Sequence, residues 1–104
     1  MLFVETPVFT RLVAAALSDR DYAVLQRELA DHPEAGRLLE GGAGIRKLRW
    51  ATPGSGKSGG FRVIYFWRKA ESQIYLLYLF AKSERVDLTR AQVKRLADAA
   101  RALK

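Results

Sequence analysis

Between Ile45 and Lys69 the chain reads IRKLRWATPGSGKSGGFRVIYFWRK, a segment with seven basic side chains (Arg46, Lys47, Arg49, Lys57, Arg62, Arg68 and Lys69) and no acidic one. Positive charge at that density, with no local counterweight, is the footprint of a site for a polyanion. Apolar residues alternate on either side of a loop, Pro53 to Gly60, made of Pro, Gly, Ser and one lysine. Alternation at period two requires a pleated chain, and the Gly/Ser cluster cannot continue it, so the segment reads as strand, long turn, strand. GSGKSGG also suggests the phosphate loop of nucleotide triphosphatases, but the glycine needed five positions before Gly56 is Ala51. That loop must also open a helix, whereas Phe61 to Trp67 alternates like a strand. The turn instead holds Lys57 at a tip, within reach of a phosphate that the strands cannot touch.

Other chemistries are poorly provided for. The chain has no cysteine, hence no disulfide framework and no thiolate nucleophile, and its one histidine rules out a His-rich metal site. That residue, His32, stands beside Pro33 and reads as the end of a helix. Neither a cofactor nor a metal ion is expected. Charge is divided along the chain: residues 1 to 40 hold four basic and seven acidic groups, residues 41 to 104 fourteen basic and four acidic, for a net +7. Such a split suits a molecule with one face on a polyanion and the other in solvent. A length of 104 residues allows one domain, spanning 1–104, with a single core. The longest apolar run, Ile74 to Ala81, is strand-sized and far short of the roughly 20 residues that cross a bilayer. MLFVETPVF has neither a basic leader nor a small-residue cleavage site, so it reads as the first folded element, and a cytoplasmic location is expected.

The elements that must position the basic segment follow from patterning. Leu2 to Glu5 makes a short strand. Thr6 is a good helix cap and Pro7 suits the first helical position, so a helix should run to about Leu17, with Phe9, Leu12, Val13, Ala16 and Leu17 as its buried stripe. Ser18 and Asp19 re-cap a second helix to about Asp31, with Tyr22, Leu25 and Leu29 inward. Glu34 to Gly44, ending in GGAG, reads as a connection. After the basic hairpin and a short turn at Ala70 to Gln73, IYLLYLF is apolar on both faces, as a strand covered on both sides would be. Thr89 and Gln92 stand at capping-box spacing ahead of a helix whose inward stripe is Val93, Leu96, Ala97, Ala100 and Leu103. The expectation is an α+β domain: an N-terminal strand, two helices, an antiparallel sheet of about four strands whose last three form a meander, and a C-terminal helix.

Lys47-Leu48-Arg49, the glycine-rich turn, Gly60-Phe61-Arg62-Val63-Ile64-Tyr65, the apolar strand, and Ala81-Lys82-Ser83-Glu84-Arg85 ahead of a helix together resemble the RelE/HigB superfamily of toxins from bacterial type II toxin–antitoxin systems. PGSGKSGGFRVIYF is most similar to the HigB branch, and the order of elements agrees over nearly the whole chain. The resemblance implies a RelE-like fold and an mRNA endonuclease that works in the ribosomal decoding site and halts translation. It also implies a metal-independent reaction, in which a ribose 2′-hydroxyl attacks the adjacent phosphate to leave a 2′,3′-cyclic phosphate and a 5′-hydroxyl. Lysines and arginines would then orient the phosphate, stabilise its charge and move protons. The partners implied are a cognate antitoxin, mRNA, and the ribosome with its rRNA.

By the same resemblance, Arg62 matches the arginine that follows glycine-aromatic in the family's third strand, where a planar fork suits the scissile phosphate. Lys57 matches the lysine of the glycine loop and Lys82 lies in the basic stretch after the fourth strand; either would transfer protons. Lys47 and Arg49, on one face with Leu48 turned into the core, match the positions that bind the RNA backbone, with Arg46 and Arg85 as further basic contacts. Trp50, Phe61 and Trp67 are the aromatics available for stacking on a base. Two positions depart from the family pattern: RelE-type relatives have an arginine just after Lys82 and a stacking tyrosine near the start of the last helix, where this chain has Ser83 and Thr89. These departures keep two alternatives open, a ParE-like inhibitor of DNA gyrase and a basic RNA-binding module without catalysis.

Overall fold

Three side-chain caps set where the helices begin in the computed structural model, which describes residues 1–51, 60–84 and 87–103. Strand β1 (Leu2–Glu5) leads into helix α1 (Pro7–Ala16), and the Thr6 hydroxyl accepts the Phe9 amide at 3.1 Å. Ser18 likewise accepts the Asp21 amide at 3.1 Å to start α2 (Asp19–Asp31), whose first-turn aspartates complement the positive end of the helix dipole. The His32 amide closes α2 on the Glu28 carbonyl at 2.9 Å, the terminal role read for it. There follow β2 (Arg37–Leu38), β3 (Ile45–Trp50), β4 (Phe61–Arg68), a 3-10 turn (Lys69–Glu71), β5 (Gln73–Ala81) and α3 (Arg90–Ala102). Both halves of the expected capping box open α3: Thr89 Oγ1 accepts the Gln92 amide at 3.1 Å, and Gln92 Oε1 accepts the Thr89 amide at 2.8 Å. Thr89→Ala is therefore expected to cost about 1 kcal/mol of stability, as thermal melting would show. A variant with unchanged melting would mean that this cap does not hold the start of α3.

The sheet has five strands in the order β1-β5-β4-β3-β2. β3, β4 and β5 form the antiparallel meander read from the sequence, but β1 lies parallel to β5 at one edge, with Leu2 opposite Gln73, so the sheet is mixed and not antiparallel throughout as expected. The count exceeds the expected four because of β2, two exposed residues that pair with β3 inside what reads as a connection. Helices α1 and α2 cover one face, where Phe9, Val13, Leu17, Leu25 and Leu29 pack on Leu48, Trp50, Val63, Tyr65, Ile74, Leu76 and Leu79. Helix α3 covers part of the other face, with Ala100, Val93, Leu96 and Leu103 against Ile45, Ile64, Phe66, Leu77 and Phe80. Both faces of β5 are thus buried, which accounts for its unbroken apolar run. Ala16 of the predicted α1 stripe, the last residue of α1, is exposed. None of the described helices is long and apolar enough to cross a membrane.

Candidate nucleic-acid interface

Alternation along β3 divides its residues between the two faces. Ile45, Lys47 and Arg49 face the α3 side; Arg46, Leu48 and Trp50 face α1 and α2. Register completes the basic face: Arg49 lies directly opposite Arg62 on β4, and Lys47 lies opposite Arg37 on β2. The α3 side of the sheet is therefore apolar where the helix covers it and basic along Arg37, Lys47, Arg49 and Arg62. On its other flank Arg62 is opposite Phe80 of β5, and its side chain is only 8% exposed, with Nη1 3.3 Å from the Phe61 carbonyl oxygen. Arg49 is exposed. Lys82 follows the last residue of β5, and its amide donates to the Gly60 carbonyl at 3.1 Å, which fixes it beside the start of β4. Its side chain is exposed. A cleft of about 340 Å³ runs along Ala35, Arg37, Lys47, Leu48 and Arg49.

The lysine of this face is already paired. Lys47, 7% exposed, donates to both carboxylate oxygens of Asp87, each at 3.0 Å. Hydrogen bonding from the Leu88 amide at 2.8 Å, then the Lys47 ammonium and the charge of Arg37, holds the Asp87 carboxyl below its usual range. A carboxyl whose folded-state pKa is depressed stabilises the fold above the ordinary carboxylate range and loses that contribution as pH falls through its folded value. The Asp87–Lys47 contact therefore persists throughout the neutral range.

Arg46 and Trp50 are corrections to the expected RNA contacts. Arg46 faces the opposite side of the sheet, and its Nη1 donates to the carbonyls of Gly36 at 2.8 Å and Glu34 at 3.1 Å. Trp50 is 8% exposed within the α1/α2 core, so its ring is not presented to a base. The remaining aromatics considered for stacking, Phe61 and Trp67, also pack against that core. Lys57 and Arg85 lie outside the described residues. Arg37 and Asp87 are the additions. Arg37 was hidden in a segment read as a connection, although a basic residue beside Leu38-Leu39 and ahead of GGAG is compatible with a short edge hairpin.

Arg46 works with Tyr65 to hold the segment that carries Arg37. The Tyr65 hydroxyl donates to the Pro33 carbonyl at 2.7 Å and accepts the Gly36 amide at 2.8 Å, and burial raises its pKa, so it stays protonated. Tyr65→Phe is expected to lose about 1–3 kcal/mol of stability, because both backbone groups are left without their partner, and this can be read by chemical denaturation. No change in stability would show that water replaces the hydroxyl at no cost.

The model of the family described as RelE toxin of the RelE/RelB toxin–antitoxin system matches residues 9–104. The chain belongs to the RelE toxin family. Among solved structures, a free-state mutant of E. coli toxin RelE with two arginines replaced by alanine is similar at a TM-score of 0.59 and 14% identity, covering 94% of each chain. At that identity the likeness establishes the RelE fold. As a RelE-family toxin of a toxin–antitoxin system, the protein has an antitoxin for a partner.

Proposed function

We propose that this RelE-family toxin is a ribosome-dependent mRNA endonuclease acting in the cytoplasm, which cuts translated mRNA by attack of a ribose 2′-hydroxyl on the neighbouring phosphate. The observation that carries the reading is the placement of Arg49 directly opposite Arg62. Like charges opposite each other on a sheet repel and lower stability, an arrangement favoured where an anion binds between them. A phosphodiester is the anion that two adjacent guanidinium groups suit best, since each offers parallel donors to its oxygens.

In this reading Arg62 holds the non-bridging oxygens of the scissile phosphate. Its burial lowers the local dielectric and strengthens that contact as negative charge grows in the transition state. Arg49 binds the same phosphate from the exposed side, and Lys47 the adjoining backbone. As the bond from the 2′-oxygen to phosphorus forms, the bond to the 5′-oxygen breaks, so one proton leaves the nucleophile and one is delivered to the leaving oxygen. Lys82 and Lys57 are the proposed groups for those transfers, and Arg85 a further backbone contact. The ribosome would present the strand and supply stacking, since Trp50 is committed to the core.

Inducing the chain in a bacterial host and mapping mRNA 5′ ends tests the proposal. New ends confined to translated frames are expected. Growth arrest with intact mRNA would instead indicate a ParE-like action on DNA gyrase, and absence of arrest would indicate a binding module without catalysis.

A further inference from the structure

The basic face is built in two rows, Arg49 with Arg62 and Arg37 with Lys47, and the rows are two residues apart along β3. Two residues of strand span roughly 7 Å, close to the step between consecutive phosphates of an extended nucleic-acid strand. The second row already has an occupant. The Asp87 carboxylate presents both oxygens to the Lys47 ammonium at 3.0 Å and lies in the field of Arg37. Two oxygens sharing one negative charge in that position match what a phosphodiester would offer. We propose that Arg37 and Lys47 form a second phosphate site, for the phosphate next to the scissile one, which Asp87 occupies in the free chain and vacates when the strand binds. The inference rests on the RNA reading given above.

Three features support an exchange over a fixed ion pair. Lys47 is 7% exposed, and a buried ammonium without an anion is strongly disfavoured, so it needs one partner or the other at all times. Asp87 is 53% exposed, so its carboxylate can turn into water once displaced. The cleft along Arg37, Lys47 and Arg49 joins the two rows, giving a strand held at the first a path to the second. Because the competing anion is part of the chain, the apparent affinity for RNA is lowered by the fraction of molecules in which Asp87 holds Lys47.

The test is binding of a short 2′-O-methyl oligoribonucleotide, which lacks the nucleophile, to the purified full chain, followed by fluorescence anisotropy over a salt series. Asp87→Asn keeps an oxygen for the Leu88 amide and should bind the strand about fivefold more tightly than the parent. Arg37→Gln should bind more weakly, with the slope of log affinity against log salt shallower by about 0.7. Equal or weaker binding by Asp87→Asn, at unchanged melting temperature, overturns the proposal. Should Asp87→Asn unfold, Arg37→Gln decides alone, since its side chain is exposed on an edge strand: unchanged affinity and slope would overturn the site. An uncleavable strand needs no chemistry, so the binding shifts can be present while mRNA stays intact in cells, and that result overturns the nuclease and not the site. A parent protein that binds no RNA overturns the site, whereas the nuclease reading, in which the ribosome presents the strand, falls only if mRNA stays intact in cells.

Discussion

Arg62→Ala is expected to abolish growth arrest and to lower mRNA cutting by about 10²–10³-fold, the usual loss when one donor to a developing oxyanion is removed. Arg62 is almost wholly buried, at 8% exposure, on the basic face directly opposite Arg49 of β3 and Phe80 of β5. Truncation therefore also removes packing, at about 1 kcal/mol, so melting must be measured beside activity. Arg62→Lys separates the two effects, since it keeps the charge and most of the stem and loses only the planar fork. A folded, inactive Arg62→Lys protein would assign the function to the fork. Full toxicity in Arg62→Lys would show that a point charge suffices, and the transition-state role proposed for this arginine would fall.

Gly60→Ala is expected to be the most damaging single methyl group at the site. Gly60 has φ +58°, a left-handed conformation, and a Cβ built there would lie 2.3 Å from the Trp50 carbonyl oxygen and 2.9 Å from the Ala51 Cα. Both obstacles are backbone, so neither can rotate away. The left-handed penalty and the displacement together should cost on the order of 3 kcal/mol. The loss would not be confined to stability. The Gly60 carbonyl accepts the Lys82 amide, and Gly60 adjoins the β4 end that carries Arg62, so the start of β4 and the turn after β5 would move together. The expected result is a lower melting temperature with loss of toxicity even in molecules that remain folded at the assay temperature. A Gly60→Ala protein with parental melting would show that β3 and β4 can separate at this end freely, and that the site is less fixed than the register implies.

Much of this could be read from residue order. Thr6-Pro7, Ser18 and the Thr89/Gln92 box each announce a helix start through chemistry confined to four residues, and all three caps are present as read. The meander could be read because β3, β4 and β5 are neighbours in sequence. What escaped has physical reasons. β2 is two residues long, too short for a period to show, and its pairing is decided by the Tyr65 and Arg46 contacts to Pro33, Glu34 and Gly36. The contact of Lys47 with Asp87 joins residues 40 apart, and no local pattern encodes it. Trp50 and Arg46 are a different case. The alternation that placed Lys47 and Arg49 together already put these two residues on the Leu48 side, so the signal was present and composition obscured it.

The parallel seating of β1 against β5 has a consequence for how the molecule is made. Leu2 finds its partner only at Gln73, and the Thr6 hydroxyl reaches the Leu77 carbonyl across 71 positions of chain. Closing so long a loop delays folding, because the entropy is lost before the contacts form. A nascent chain halted before Leu76 has synthesised α1 and α2 without Leu76 and Leu79, which complete the cluster that holds Phe9 and Leu25. Its basic hairpin would emerge without β5 beside it and without Asp87. Ribosomes that abandon this message early therefore release fragments lacking a complete core, and the toxic form arises only from nearly finished synthesis.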